Sequence, residues 1–213
     1  SRLLDLVGLT GFEQGPKLFT DDMRHIAPKL DGNTLSVFYS NVGDDRSADR
    51  ARRVFEFCKE MGVATIVAEP PADAFDMLEQ LCDEYAINLA VHNHPESPRS
   101  KYWKPENVLA VCQGRGRRVG ACCDTGHWVR SGLDPVECLK KMEGRILGFH
   151  LKDALEKGNR QSRDVPLGQG CLDLKGMVAA LRSAQPKVHF SLELITREPL
   201  KVPCLTEKYW ATF

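Results

Sequence analysis

The chain carries no surplus of either charge: 29 lysines and arginines offset 29 aspartates and glutamates over 213 residues. Proteins that grip a phosphate backbone depend on a basic excess, so nucleic acid is not an expected partner. No apolar run approaches the roughly 18 residues of a membrane span, and no signal-peptide pattern opens the sequence. A membrane partner is therefore not expected either. The eight cysteines contain no C-x-x-C pair, which argues against a cysteine zinc site or a thioredoxin-like redox pair. The glycine-rich phosphate turn of a dinucleotide fold is also missing, because Gly114-Arg115-Gly116 follows a helical segment and precedes a strand.

The cysteines that are present lie where small buried hydrophobes belong. Cys58, Cys82, Cys112 and Cys138 fall in helix-period segments, and Cys122 and Cys123 are adjacent in a strand. That usage suits a reducing compartment, and the expectation is a cytoplasmic protein. An export signal removed ahead of Ser1 would leave no trace in this reading. A homo-oligomer stays open.

Strand-period and helix-period segments alternate almost without interruption. Strands are predicted at 9–13, 34–40, 65–69, 88–92, 119–124, 146–151 and 188–194. Helices are predicted at 47–61, 72–85, 105–112, 134–142 and 174–183, with Asp134 as N-cap and Pro135 in the first helical position. The segment after Asp124 reads as a glycine-containing loop, and a long polar loop follows Leu151. This alternation means βαβ units and a parallel sheet. Seven strands in one 1–213 domain suggest an α/β (β/α)₈ TIM barrel, incomplete at its first strand, with no clean helical period after Glu193 for a last helix. A doubly wound open sheet is the competitor.

Five strand ends carry a metal-ligand type: Glu69, His92, Asp124, His150 and Glu193. Repeated acidic and imidazole groups at strand carboxyl ends are what a divalent-metal site at a barrel mouth looks like. Oxygen and imidazole donors together suit one Mn²⁺ foremost, or Mg²⁺, Co²⁺ or Zn²⁺. Close by in sequence are His94, His127, Trp128 and Lys152. Lys152 shares a face with His150 and could hold a negative charge developing beside a metal, and Trp128 reads as a loop residue. Arg160, Arg163 and Lys157 read as solvated charge rather than an anion site.

The run VGACCDTGHWVRSGLDPVECLKKMEGRILGFHLKD, with VHNHP before it and Glu193 after it, resembles the xylose-isomerase-like TIM-barrel superfamily. That superfamily holds sugar isomerases and epimerases, inosose dehydratases and AP endonuclease IV. The resemblance implies one divalent metal held by Glu, Asp, His and Glu from four late strands, and the last three match Asp124, His150 and Glu193. Where the first glutamate is usual, this chain has His92, so Glu69 and His92 compete for the fourth place. The implied chemistry is proton abstraction next to a carbonyl in a keto-sugar or polyol, through a metal-stabilised enediolate, with Glu193 or Glu69 as the expected base. On that reading His127 binds a substrate hydroxyl or shuttles a proton, Lys152 and His94 complete the pocket, and Trp128 covers a sugar face. The reaction ends in isomerisation or epimerisation, or, as in the inosose-dehydratase branch with its His-x-His strand end, in elimination. A catalytically silent sugar-binding barrel is the non-enzymatic alternative. An endonuclease would need more histidine and carboxylate ligands and a basic face.

Overall fold

A computed structural model describes residues 37–39, 47–60, 62–184 and 189–192. The predicted strand at 9–13 and the residue Glu193 lie outside the described residues. The elements run β1 (Val37–Tyr39), α1 (Ser47–Glu60), β2 (Thr65–Ala68), a 3₁₀ turn (Ala72–Ala74), α2 (Phe75–Tyr85) and β3 (Asn88–His92). They continue with α3 (Pro105–Cys112), β4 (Val119–Asp124), α4 (Thr125–Arg130), α5 (Pro135–Lys141) and β5 (Ile146–Leu151). A short pair, β6 (Asp153–Ala154) and β7 (Asp164–Val165), then α6 (Leu174–Ala184) and β8 (His189–Leu192), close the series.

The chain divides into two compact units, one reaching His92 and including Ala110–Ala121, the other formed by Asn93–Leu109 and the chain from Cys122. In the first unit the strand order is β1-β2-β3-β4. β1 and β2 pair in parallel, as do β2 and β3, with Ala68 opposite Val91. All four residues of β2 and the last four of β3 are buried, as expected for a parallel sheet covered on both faces. Helices α1 and α2 pack side by side, burying Ala51, Val54, Phe55, Cys58, Phe75, Leu78, Leu81 and Cys82. At their outer edge Arg52 forks onto both carboxylate oxygens of Glu84, at 2.5 and 3.0 Å. Helix α2 ends on Ala86, which is left-handed at φ 57° and whose N–H still returns to the Cys82 carbonyl.

In the second unit the order is β4-β5-β8, with His150 of β5 opposite Ser191 of β8 in parallel register. Helix α5 starts as the sequence predicts: Asp134 accepts the N–H groups of Val136 and Glu137, and Pro135 opens the first turn. The long loop after β5 is not structureless, because β6 and β7 pair antiparallel within it. Asp153 organises its return. Its carboxylate accepts the backbone N–H groups of Gly168, Gly170 and Leu172 at 3.0, 2.9 and 2.9 Å. Burial pushes the Asp153 carboxyl up, and those three amides pull against it.

Three expectations need correction. The segment after Asp124 is helix α4 rather than a loop, because the Asp124 side chain caps it by accepting the His127 N–H. The helix predicted over 72–85 begins as a 3₁₀ turn and becomes α-helical at Phe75. β2 ends at Ala68, so Glu69 follows the strand instead of closing it. Among the described residues the cysteines are all free, and all but Cys171 are buried.

Candidate active site

The second unit gathers its polar residues where β4 and β5 end. Asp124, the last residue of β4, is fully buried. Asn93 fixes its backbone by a two-way clasp: the Asp124 N–H donates to Asn93 Oδ1 at 2.8 Å, and Asn93 Nδ2 donates to the Asp124 carbonyl at 3.0 Å. The carboxylate then divides its work. Oδ1 accepts the His127 N–H at 2.8 Å and starts α4. Oδ2 faces two nitrogens, Lys152 Nζ at 3.2 Å and His127 Nε2 at 3.5 Å.

Lys152 is the least expected member. A lysine just past a strand commonly reaches solvent, yet this one is 1% exposed. Its backbone is tied to α4 by Thr125, whose Oγ1 accepts the Lys152 N–H at 3.0 Å and donates to the Lys152 carbonyl at 2.6 Å. Its side chain crosses α4 at Gly126, where an added Cβ would lie 2.5 Å from Lys152 Cγ and 2.8 Å from Lys152 Cβ. Gly126 therefore provides the channel for the lysine stem. A buried ammonium beside a buried carboxylate satisfies the requirement that interior charges be paired.

His127 lies one helical turn beyond its cap and is 7% exposed. The exposed His94 ring stacks near it, with ring centroids 5.2 Å apart and planes inclined by 30°. Arg130, a further turn along α4, places Nη1 3.3 Å from His127 Nδ1. The same guanidinium donates Nε–H to the Ser162 carbonyl at 2.9 Å and pairs with Asp164. Arg130 and Asp164 were not singled out from sequence; an arginine three residues after a histidine becomes informative only once both are known to be helical. His150, in β5, is 4% exposed.

Other expected residues are placed as follows. In the first unit, Glu69 and His92 leave adjacent strands β2 and β3, and their ligand atoms lie within 4.8 Å of each other. His92 is buried and Glu69 half-buried. Trp128, read as a loop aromatic, is in α4 at 2% exposure, so its ring is part of the core rather than an open face. Lys157, Arg160 and Arg163 are exposed, as solvated charges are.

As a donor set, the Asp124 carboxylate at the end of β4 and the imidazole of His150 on neighbouring β5 have the oxygen and nitrogen chemistry that divalent Mn or Zn accepts. Lys152 Nζ places positive charge 3.2 Å from Asp124 Oδ2.

A profile described as xylose isomerase-like TIM barrel matches residues 5–210. An inosose dehydratase of Clostridium beijerinckii is 23% identical, the match covering 80% of this chain and 72% of that protein. A probable endonuclease 4 of Thermoplasma acidophilum is 24% identical over 81% of this chain and 60% of its own length. Among solved structures, a D-tagatose 3-epimerase-like protein superposes with a TM-score of 0.70 at 15% identity, covering 91% of this chain and 84% of that one. An IolI protein with a bound zinc atom gives 0.67 at 19% identity, with coverages of 89% and 80%.

Proposed function

We propose that this chain, which belongs to the xylose isomerase-like TIM-barrel family, is a divalent-metal-dependent isomerase or epimerase acting on a keto-sugar or related polyol. The observation that carries this reading is the buried Asp124–Lys152–His127 cluster: a carboxylate flanked by two nitrogen groups beside the strand that bears His150. Asp124, His150 and Glu193 would hold one metal ion, with Glu69 or His92 as the fourth ligand. Mn²⁺ is the proposed ion; the IolI protein of similar fold carries a bound zinc atom. When bound, the ion supplies Lewis-acid polarisation of the substrate carbonyl, worth several kcal/mol.

The remaining work falls to side chains. A carboxylate, Glu193 or Glu69, removes the proton from the carbon beside the carbonyl. Lys152 and His127 donate hydrogen bonds to substrate oxygens, so that the charge of the enediolate forms against fixed donors in a water-poor setting. His94, stacked on His127 and exposed, would meet the substrate from the open side. Return of the proton to the opposite face gives epimerisation, and return to the neighbouring carbon gives isomerisation. Trp128 supports this pocket from the core.

One observation favours a second reading. The His92-x-His94 pattern, together with the inosose dehydratase relative, is compatible with loss of a β-hydroxyl after the same proton abstraction, a lyase outcome. The relative named as an endonuclease does not redirect the proposal, because the chain has no net positive charge with which to hold a nucleic acid.

Metal binding tests the proposal. Elemental analysis of the purified chain, followed by Mn²⁺ titration of metal-stripped protein by calorimetry, should reveal one site per chain. Asp124→Asn and His150→Gln should each weaken it by at least tenfold. A chain that holds no divalent metal and gains none on titration would leave only the silent-barrel alternative.

A further inference from the structure

Helix α4 is too short to stand by itself. It has six residues, one of them Gly126, and isolated helices below roughly 12 residues are marginal in water even with better formers. Asp124 secures its first turn, and the loop between β6 and β7 secures its last. The Gly158 N–H donates to the Val129 carbonyl at 2.9 Å, sharing that acceptor with the Gly132 N–H at 3.0 Å. From the same turn Arg130 donates Nε–H to the Ser162 carbonyl at 2.9 Å and pairs its Nη2 with Asp164 at the start of β7.

The loop is shaped to make these contacts. The Leu155 N–H donates to the Arg163 carbonyl at 3.1 Å and the Glu156 N–H to Ser162 Oγ at 2.8 Å, closing residues 155–163 into one turn. Of those residues only Ser162 is buried, so apolar burial contributes little to seating the loop. The charge pair is different. The Arg130 and Asp164 side chains are 10% and 1% exposed, and parting them would strand a charge inside the protein. We propose that the Arg130–Asp164 pair is a latch that joins the 155–163 loop to α4, so that the two open and close as one unit. Undocking the loop strips the last turn of α4 of its partners, and unwinding α4 draws Arg130 off Asp164 and frees the loop. On the reading of the site given above, on which this consequence rests, His127 meets substrate only while the loop is docked.

Native-state hydrogen exchange of the full chain, followed by NMR, measures this coupling residue by residue. The reporters are the hydrogen-bonded amides of Leu155, Gly158 and Ser162 on the loop and of Ser131, Gly132 and Leu133 at the end of α4. In low urea the two groups should share one opening free energy and one urea dependence. Loop amides that open at lower free energy while the α4 amides stay protected would overturn the latch. The paired variant Arg130→Met/Asp164→Asn removes both buried charges together. In it both groups should lose protection by about tenfold or more, with the amides of β2 and β3 unchanged. Protection lost from the loop alone, or from neither group, would equally overturn it. The wild-type comparison decides the question even if that variant does not fold. No substrate is needed, so a chain that turns over no keto-sugar leaves the latch standing. Deuterium exchange into a keto-sugar at the wild-type rate by the paired variant, with α4 open, would remove the consequence for His127 alone.

Discussion

Removing one half of the Lys152–Asp124 pair should cost far more than removing both. The charges are 3.2 Å apart with side-chain exposures of 1% and 0%. At an effective dielectric near 20, two unit charges at that distance attract by roughly 5 kcal/mol, most of it offset in the intact protein by desolvation of both groups. Lys152→Met keeps the stem that runs past Gly126 but strands a buried carboxylate, with an expected loss of about 3–5 kcal/mol. Asp124→Asn retains an oxygen for the His127 N–H cap and strands a buried ammonium instead, at a similar loss. The double variant replaces the pair by neutral groups of similar volume and should lie within about 2 kcal/mol of wild type. Urea denaturation of metal-stripped protein, analysed as a double-mutant cycle, measures the coupling. For a domain of this size each kcal/mol moves Tm by roughly 2–4 °C, so the single variants should melt about 6–20 °C lower. Additive losses, with coupling under about 0.5 kcal/mol, would refute the view that these two groups form one buried ionic unit.

Other consequences are local. Gly126→Ala forces a methyl against the Lys152 stem and should destabilise by about 1–3 kcal/mol in thermal melts, with Lys152→Ala in the same chain relieving part of it. Ala86→Gly relaxes a left-handed C-cap and should stabilise by roughly 0.5–1 kcal/mol, a gain that chemical denaturation would detect; a loss would argue against that cap. Burial pushes the Cys58, Cys82 and Cys138 thiols up to about 12, so in native protein near pH 8 they should resist a disulfide reagent. Cys171, the exposed thiol among the described residues, should react promptly, and Cys171→Ser should remove one thiol from that fast phase.

Periodicity made much of this fold legible. β3, α3, β4 and β5 begin and end at the predicted residues, because clean apolar runs there are bounded by proline, glycine or a polar cap. Helix α4 escaped prediction for a local reason: Thr125-Gly126-His127 carries glycine and poor helix formers, and the Asp124 cap and burial of Trp128 help to hold it helical. Asp124, His127 and Lys152 could be nominated from sequence, since polar types at strand ends stand out against apolar runs. Their mutual geometry could not. A lysine buried through a glycine channel, or an arginine braced by an aspartate 34 residues away, depends on tertiary contacts that no periodicity encodes.

The central claim is that this site takes a proton from a carbon beside a carbonyl, and isotope exchange reads that step whatever product follows. The chain is incubated in D₂O with Mn²⁺ and a panel of keto-sugars and keto-polyols, and deuterium incorporation is followed by proton NMR. The account predicts exchange at the carbon next to the carbonyl of at least one compound, reduced by more than 100-fold in Asp124→Asn, roughly the loss of about 3 kcal/mol of transition-state stabilisation. Exchange at no carbon by metal-loaded wild type, or equal exchange by the variant, would contradict it.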